Sequence, residues 1–178
     1  MTRSKPSEPR YWAAGSNCRK LLWDKKSLVQ WRKSLNRYQP LVMTNGCFDV
    51  IHAGHVEYLR DAKAKGAARG AFLLVMLNSD ESIRKLKGET RPICSEAERT
   101  IVLDALESVD AVYVFDEERV DGWLRLLKPQ VWAKGGDYSI TTLDRGEVKA
   151  AQEIGCRIEI IPVLRNLSTS KIIAALAK

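Results

Sequence analysis

The sequence predicts a doubly wound α/β fold, a parallel sheet with helices on both faces, in a single Rossmann-like domain. Short apolar runs alternate with amphipathic helical segments over most of the chain. The strand candidates are nearly continuous in apolar residues, so both faces of the sheet must be covered, as in parallel sheets joined by helical crossovers. In such folds ligands bind at the carboxyl ends of the strands. The residues just after each strand are therefore where function is expected.

Residues 1–17 are polar, hold two prolines in their first ten positions, and read as a flexible N-terminal arm. The domain proper is expected over 18–178. Leu28, Trp31 and Leu35 lie at helical spacing, so a first helix is predicted over Ser27–Asn36. Leu41-Val42-Met43-Thr44 is a first strand, ending at the turn signal Asn45-Gly46. Helical spacing resumes over His55–Lys65 through Val56 and Leu59. Phe72–Leu77 is a second, buried strand, followed by a helix that Asn78 or Ser79 can cap. Ser95-Glu96-Ala97-Glu98 has the form of a capping box ahead of Ile101, Val102, Leu103 and Leu106.

A third strand is predicted over Ala111–Phe115, and a helix over Val120–Leu127 stops before Pro129. Val131-Trp132-Ala133 is a fourth strand, ending at Lys134-Gly135-Gly136. Glu147–Ile154 is helical and closes at Gly155; Arg157–Ile161 is a fifth strand. Ser168 can cap a last helix through Ile172, Ile173 and Leu176.

Composition narrows the function classes. The chain is 45% hydrophobic over 178 residues, enough for a real core. Its longest strongly apolar run, Ala71–Leu77, is far short of the ~20 residues of a membrane span. The first ten residues lack the apolar core of a signal peptide, so a cytoplasmic location is expected. The four cysteines form no CxxC pair, which argues against a zinc knuckle or a thioredoxin-like site. The net charge of +7 fits either a solvated basic surface with its arm or attraction for polyanions. The basic residues are scattered and not interleaved with aromatics, so phosphate substrates are favoured over nucleic acid.

The segment after the first strand carries the chemistry: Thr44-Asn45-Gly46-Cys47-Phe48-Asp49-Val50-Ile51-His52-Ala53-Gly54-His55. It contains both histidines of the chain, three residues apart, flanking a glycine where a helix begins. A helix N-terminus offers unpaired N–H groups and partial positive charge. Residues three apart share a helical face, so both imidazoles can address one triphosphate. Gly46 and Gly54 allow close approach. Two histidines without an obvious third ligand make a poor zinc site, although Asp49 is a possible one. There is no Walker-type P-loop, and no G-x-G-x-x-G follows the first strand.

These residues resemble the signature of the cytidylyltransferase-like branch of the HxGH nucleotidyltransferases. The resemblance runs from about Lys20 through most of the chain. Asn78-Ser79-Asp80, Arg91-Pro92-Ile93, Glu98-Arg99, Lys134-Gly135-Gly136-Asp137-Tyr138 and Leu167-Ser168-Thr169-Ser170 fall in the same order. The set is similar to adenylyltransferases acting on D-glycero-β-D-manno-heptose 1-phosphate. Cys156 stands where a small residue is common, Ser170 where threonine is common, and the basic arm has no counterpart.

The resemblance implies transfer of AMP from ATP to a sugar 1-phosphate, with His52, His55 and Lys87 catalytic. Lys85 is the alternative to Lys87. Thr44, Asn45, Gly46, Phe48, Gly54, Lys134, Gly135, Asp137, Ser168, Thr169 and Ser170 are expected around the nucleotide. Asp49, Arg91 and Arg99 are expected toward the substrate, Arg91 by assisting the loop of Lys87; Asp49 could equally orient its loop or be a buried turn carboxylate, and Arg99 a surface ion pair. Mg²⁺ is expected with the triphosphate, held mainly by phosphates and water rather than by a protein cage. A homodimer or larger homo-oligomer is expected, with the sugar kinase on a separate protein. The runner-up is a glycerol-3-phosphate cytidylyltransferase using CTP. A catalytically silent nucleotide-binding regulator and a nucleic-acid-binding module are the alternatives from other classes.

Overall fold

Five runs extend into strands: β1 (Leu41–Gly46), β2 (Phe72–Asn78), β3 (Ala111–Phe115), β4 (Val131–Gly135) and β5 (Arg157–Ile161). All pair in parallel, in the order β3-β2-β1-β4-β5. The computed structural model describes residues 18–35, 38–66, 70–136 and 138–162. The N-terminal arm, the helix expected from Ser168, and Asp137 lie outside the described residues.

Alternate strand residues feed two cores. Leu41, Met43, Leu74, Met76 and Trp132 pack with Leu28, Leu124 and Ala150 on one face. Val42, Leu73, Val75, Leu77 and Ala133 pack with Leu59, Ala62 and Leu103 on the other. Each fully buried Leu, Val or Met side chain contributes roughly 1.5–3 kcal/mol of transfer free energy. The helices behind those contacts are α1 (Lys25–Ser34), α5 (Asp121–Leu127) and α6 (Arg145–Glu153) on the first face. On the second lie α2 (Ala53–Ala64) and α4 (Glu96–Ala105). A short α3 (Asp80–Lys87) follows β2.

The expected elements all appear over the described residues, with shifts at helix starts that follow the caps. α1 begins at Lys25 because Asp24 and Ser27 form a reciprocal capping box. α2 begins at Ala53, ahead of the periodicity, because His52 is its N-cap. Ser79 caps α3, Ser95 and Glu98 form the box of α4, and Asp144 caps α6. α5 has Val120 at its N-cap and no side-chain cap. At the open edge, residues 20–22 bond to Val112 of β3, covering strand groups that would otherwise invite pairing.

From β1 the chain winds outward through β2 to β3; from β4 it winds the other way to β5. The strand order therefore reverses between β1 and β4, which opens a crevice above their carboxyl ends. Tyr58 of α2 braces its floor. Its hydroxyl shares a 2.6 Å hydrogen bond with the Thr44 hydroxyl and donates to the Ala133 carbonyl at 3.1 Å. No helix among the described residues is long and apolar enough to cross a membrane.

Candidate active site

The loop from β1 to α2 flanks that crevice, and its backbone is strained. Phe48 and Val50 adopt φ of 47° and 55°, a left-handed region costly for side chains of their size. Asp49, buried between them, holds the loop. Its carboxylate accepts from the Ile93 and Cys94 N–H groups at 3.0 Å and pairs with Arg91 at 2.9 Å. Arg99 lies beneath, 1% exposed. It donates to the carbonyls of Cys94, Cys47 and Asn78 at 3.0, 2.6 and 2.9 Å, and to the Asp80 carboxylate at 2.6 Å. One guanidinium thus ties together the ends of β1 and β2 and the start of α4.

Above this base the two imidazoles stack, ring centroids 4.0 Å apart and planes tilted by 35°. They also cap α2. The Gly54 N–H donates to His52 Nδ1 at 3.1 Å, and the His52 N–H points at His55 Nδ1 at 3.4 Å. A ring nitrogen that accepts a hydrogen bond carries no proton, so each neutral imidazole holds its proton on Nε2. The hydrogen bonds assign that tautomer, and it leaves two Nε2–H donors for a ligand. Burial pushes the His52 pKa down. The His55 pKa falls to about 4, through burial first and then the charges of His52 and Lys87. The pair is neutral at pH 7 before any anion arrives.

Neighbouring residues fix the rings. A Cβ at Gly54 would lie 3.0 Å from His52 Nδ1 and Cε1, so a side chain there displaces the imidazole. Phe48 packs against His55 with centroids 5.5 Å apart, and a Cβ at Gly46 would come within 3.2 Å of the Phe48 ring. Lys87 ends α3, exposed, close enough for its charge to act on His55. Lys85 instead pairs with Glu81 at 2.6 Å. Among the described residues no ion pair holds Lys87.

Across the crevice, Lys134 at the end of β4 is buried. Its Nζ donates to Asn45 Oδ1 at 3.2 Å and sits 5.3 Å from the Trp132 ring and 4.6 Å from the Tyr138 ring. Gly135 ends the same strand. Buried Glu147 of α6 accepts from the Val120 N–H at 2.9 Å; burial raises its pKa, and the charge of Lys134 partly offsets that.

The structure therefore brings His52, His55, Gly54, Phe48 and Lys87 together on one side of the crevice, with Asn45, Lys134 and Gly135 on the other. Thr44 is buried, its hydroxyl bonded to Tyr58. Asp49 matches its alternative reading as a buried turn carboxylate and pairs with Arg91. One expectation is corrected. Arg99, expected at substrate or on the surface, is buried and bonded within the protein. His52 caps α2 from outside it, so the pair shares the helix mouth and not a helical face. Asp137, Ser168, Thr169 and Ser170 lie outside the described residues. Sequence reasoning missed Tyr58, Trp132 and Asp80. Tyr58 follows His55 by three residues, the one signal that could have placed it under the site.

A hollow of about 1050 Å³ lies beside the N-terminus of α5, lined among others by Lys25, Asp116, Glu118 and Asp144, and does not reach the histidines. Among the described residues no three His, Cys, Asp or Glu side chains converge as a metal cage. A Mg²⁺ carried in on a triphosphate, held by phosphate oxygens and water, is compatible with that donor set.

Residues 43–175 match the family model described as Cytidylyltransferase-like. The chain is 45% identical over 148 residues to the Bifunctional protein HldE of Wolinella succinogenes, covering 83% of this chain and 28% of that one. It is 46% identical over 138 residues to the protein of the same name from Citrifermentans bemidjiense, covering 78% and 27%. The chain thus spans little more than a quarter of these relatives. Among solved structures it is similar to the lipopolysaccharide core biosynthesis protein of Thermoplasma volcanium, with TM-score 0.56 and 26% identity over 72% of this chain and 98% of that one. Pantoate-beta-alanine ligase from Francisella tularensis, at 16% identity and TM-score 0.52 over 84% and 74%, shares the fold.

Proposed function

The chain belongs to the cytidylyltransferase-like family, and on that premise we propose that it transfers AMP from ATP to D-glycero-β-D-manno-heptose 1-phosphate, releasing pyrophosphate. The observation that carries the proposal is the stacked pair of neutral histidines at the mouth of α2, both with Nε2–H available, beside the switch of the sheet. The heptose substrate rests on the resemblance of Lys87–Ile93 and Lys134–Tyr138 to that branch. A likeness to a lipopolysaccharide core biosynthesis protein supports it.

In this reading a phosphate oxygen of the sugar phosphate attacks the α-phosphorus. A P–O bond to the sugar phosphate forms as the bond to the β-phosphate oxygen breaks, and the electron pair leaves on pyrophosphate. The nucleophile is already anionic, so no covalent enzyme intermediate or strong base is needed. His52 and His55 donate to phosphate oxygens where charge develops. Lys87, on an exposed helix end, supplies a mobile positive charge to the same oxygens. Mg²⁺ bound to the triphosphate would offset its negative charge. The protein would act in the cytoplasm as a homodimer or larger homo-oligomer.

The test is a pyrophosphate-release screen of ATP, CTP, GTP and UTP against heptose 1-phosphate and glycerol 3-phosphate. Release with ATP and the heptose phosphate is expected. Release confined to CTP and glycerol 3-phosphate would replace the assignment with the cytidylyl one. Tight nucleotide binding without release would make the protein a regulator.

A further inference from the structure

Asn45 is the penultimate residue of β1, beside the point where the strand order reverses, and its side chain is locked from one end. Oδ1 accepts from the Trp132 indole N–H at 3.0 Å and from Lys134 Nζ at 3.2 Å. Neither group can act as an acceptor, so the carboxamide cannot flip. Its NH₂ must point away from both. That nitrogen has no hydrogen bond among the described residues, yet it is not a buried orphan, so it meets accessible space. Lys134 is committed inward, buried between the Trp132 and Tyr138 rings.

The two sides of the crevice therefore differ in chemistry. His52, His55 and Lys87 offer donors and positive charge suited to phosphates. Asn45, whose side chain departs toward the opposite face of the sheet with Trp132, offers a neutral, oriented pair of N–H donors. Beside it stands the Tyr138 ring, 43% exposed. A neutral amide next to an aromatic face suits an uncharged acceptor on a flat ring system or its sugar. We infer that Asn45 recognises the nucleoside part of the bound triphosphate, and that Lys134 is a positioning residue that holds the Asn45 amide in its reading orientation. This rests on the nucleotidyltransferase reading above.

The decisive variant is Asn45→Asp. It keeps an acceptor for both Trp132 and Lys134 and removes both outward donors. Product formation is followed by chromatography while two competitive inhibitors are titrated: the uncharged nucleoside of whichever triphosphate turns over, and tripolyphosphate. The inhibition constant of the nucleoside is expected to rise about ten-fold, the worth of one good hydrogen bond, with that of tripolyphosphate within about two-fold. Lys134→Met, which leaves the amide held by Trp132 alone, should raise the nucleoside constant by about three-fold on the same grounds. Trp132→Phe replaces it if that variant does not fold, as urea unfolding will show. An unchanged nucleoside constant in Asn45→Asp overturns the inference. So does a parallel loss for tripolyphosphate, which would report charge repulsion instead. A wild-type protein that turns over no triphosphate defeats the underlying reading instead, a distinguishable result.

Discussion

Two polar clusters at the same end of the sheet are finished in opposite ways. Around Arg99 and Asp49 the donors and acceptors are spent inside the protein: on three carbonyls, two N–H groups and the carboxylates of Asp80 and Asp49 itself. Around His52 and His55 one nitrogen of each ring meets the backbone, and the other makes no hydrogen bond among the described residues. Both clusters look alike as a list of polar residues after strands. The accounting of internal hydrogen bonds separates scaffold from site, because a buried group must be satisfied internally whereas a ligand-binding group must keep capacity in reserve.

The contrast can be broken from either side. Arg99→Met should cause the largest change in free energy, about 3–5 kcal/mol of folding stability, because it leaves Asp80 unpaired and three carbonyls without their shared donor. Urea unfolding measures it, and turnover should follow the folded fraction. Lost turnover at unchanged stability would move Arg99 to the ligand side.

His52→Asn and His55→Gln should do the reverse. Each keeps a side chain able to cap α2, so stability changes little, while pyrophosphate release falls on the order of a hundred- to a thousand-fold. His52→Ala should in addition lose about 1 kcal/mol with its cap. Full activity in either imidazole-free variant would end the assigned role. Gly54→Ala sharpens the comparison further. Its new Cβ would meet the His52 ring at 3.0 Å, so turnover should fall roughly ten- to a hundred-fold by displacement alone. Calorimetry should show stability held or raised, since alanine is the better helix former.

A further effect is in the pH dependence of stability. The folded pKa of His55 is about 4, below the ordinary 6.5, so between those values the unfolded chain binds more protons. Stability from this group is complete above about pH 6.5 and is lost as pH falls toward 4. His55→Gln should flatten that part of the profile in thermal scans. An unchanged slope would show that the ring is not desolvated as the structure has it.

Much of this was legible in the chain alone. The five strands were marked by continuous apolar runs, and α4 by its capping box, since burial on both faces and local capping leave their marks in neighbouring residues. His52, Gly54 and His55 were legible for the same reason: cap, glycine and ring lie within four positions. Arg99 was misplaced, and the choice between the two readings of Asp49 stayed open, because their partners are distant in sequence. Arg99 reaches Cys47 across 52 positions and Asp49 reaches Ile93 across 44.

Local sequence determined the order of strands and helices, the start of α2 and the chemistry at its mouth, because those depend on residues within one turn of each other. Only the folded chain decided which polar groups are spent internally and which are not. That choice is set by the reversal between β1 and β4, which places Asn45 beside Trp132 and Lys134, nearly ninety positions away, and leaves the histidines on the opposite side of the opening.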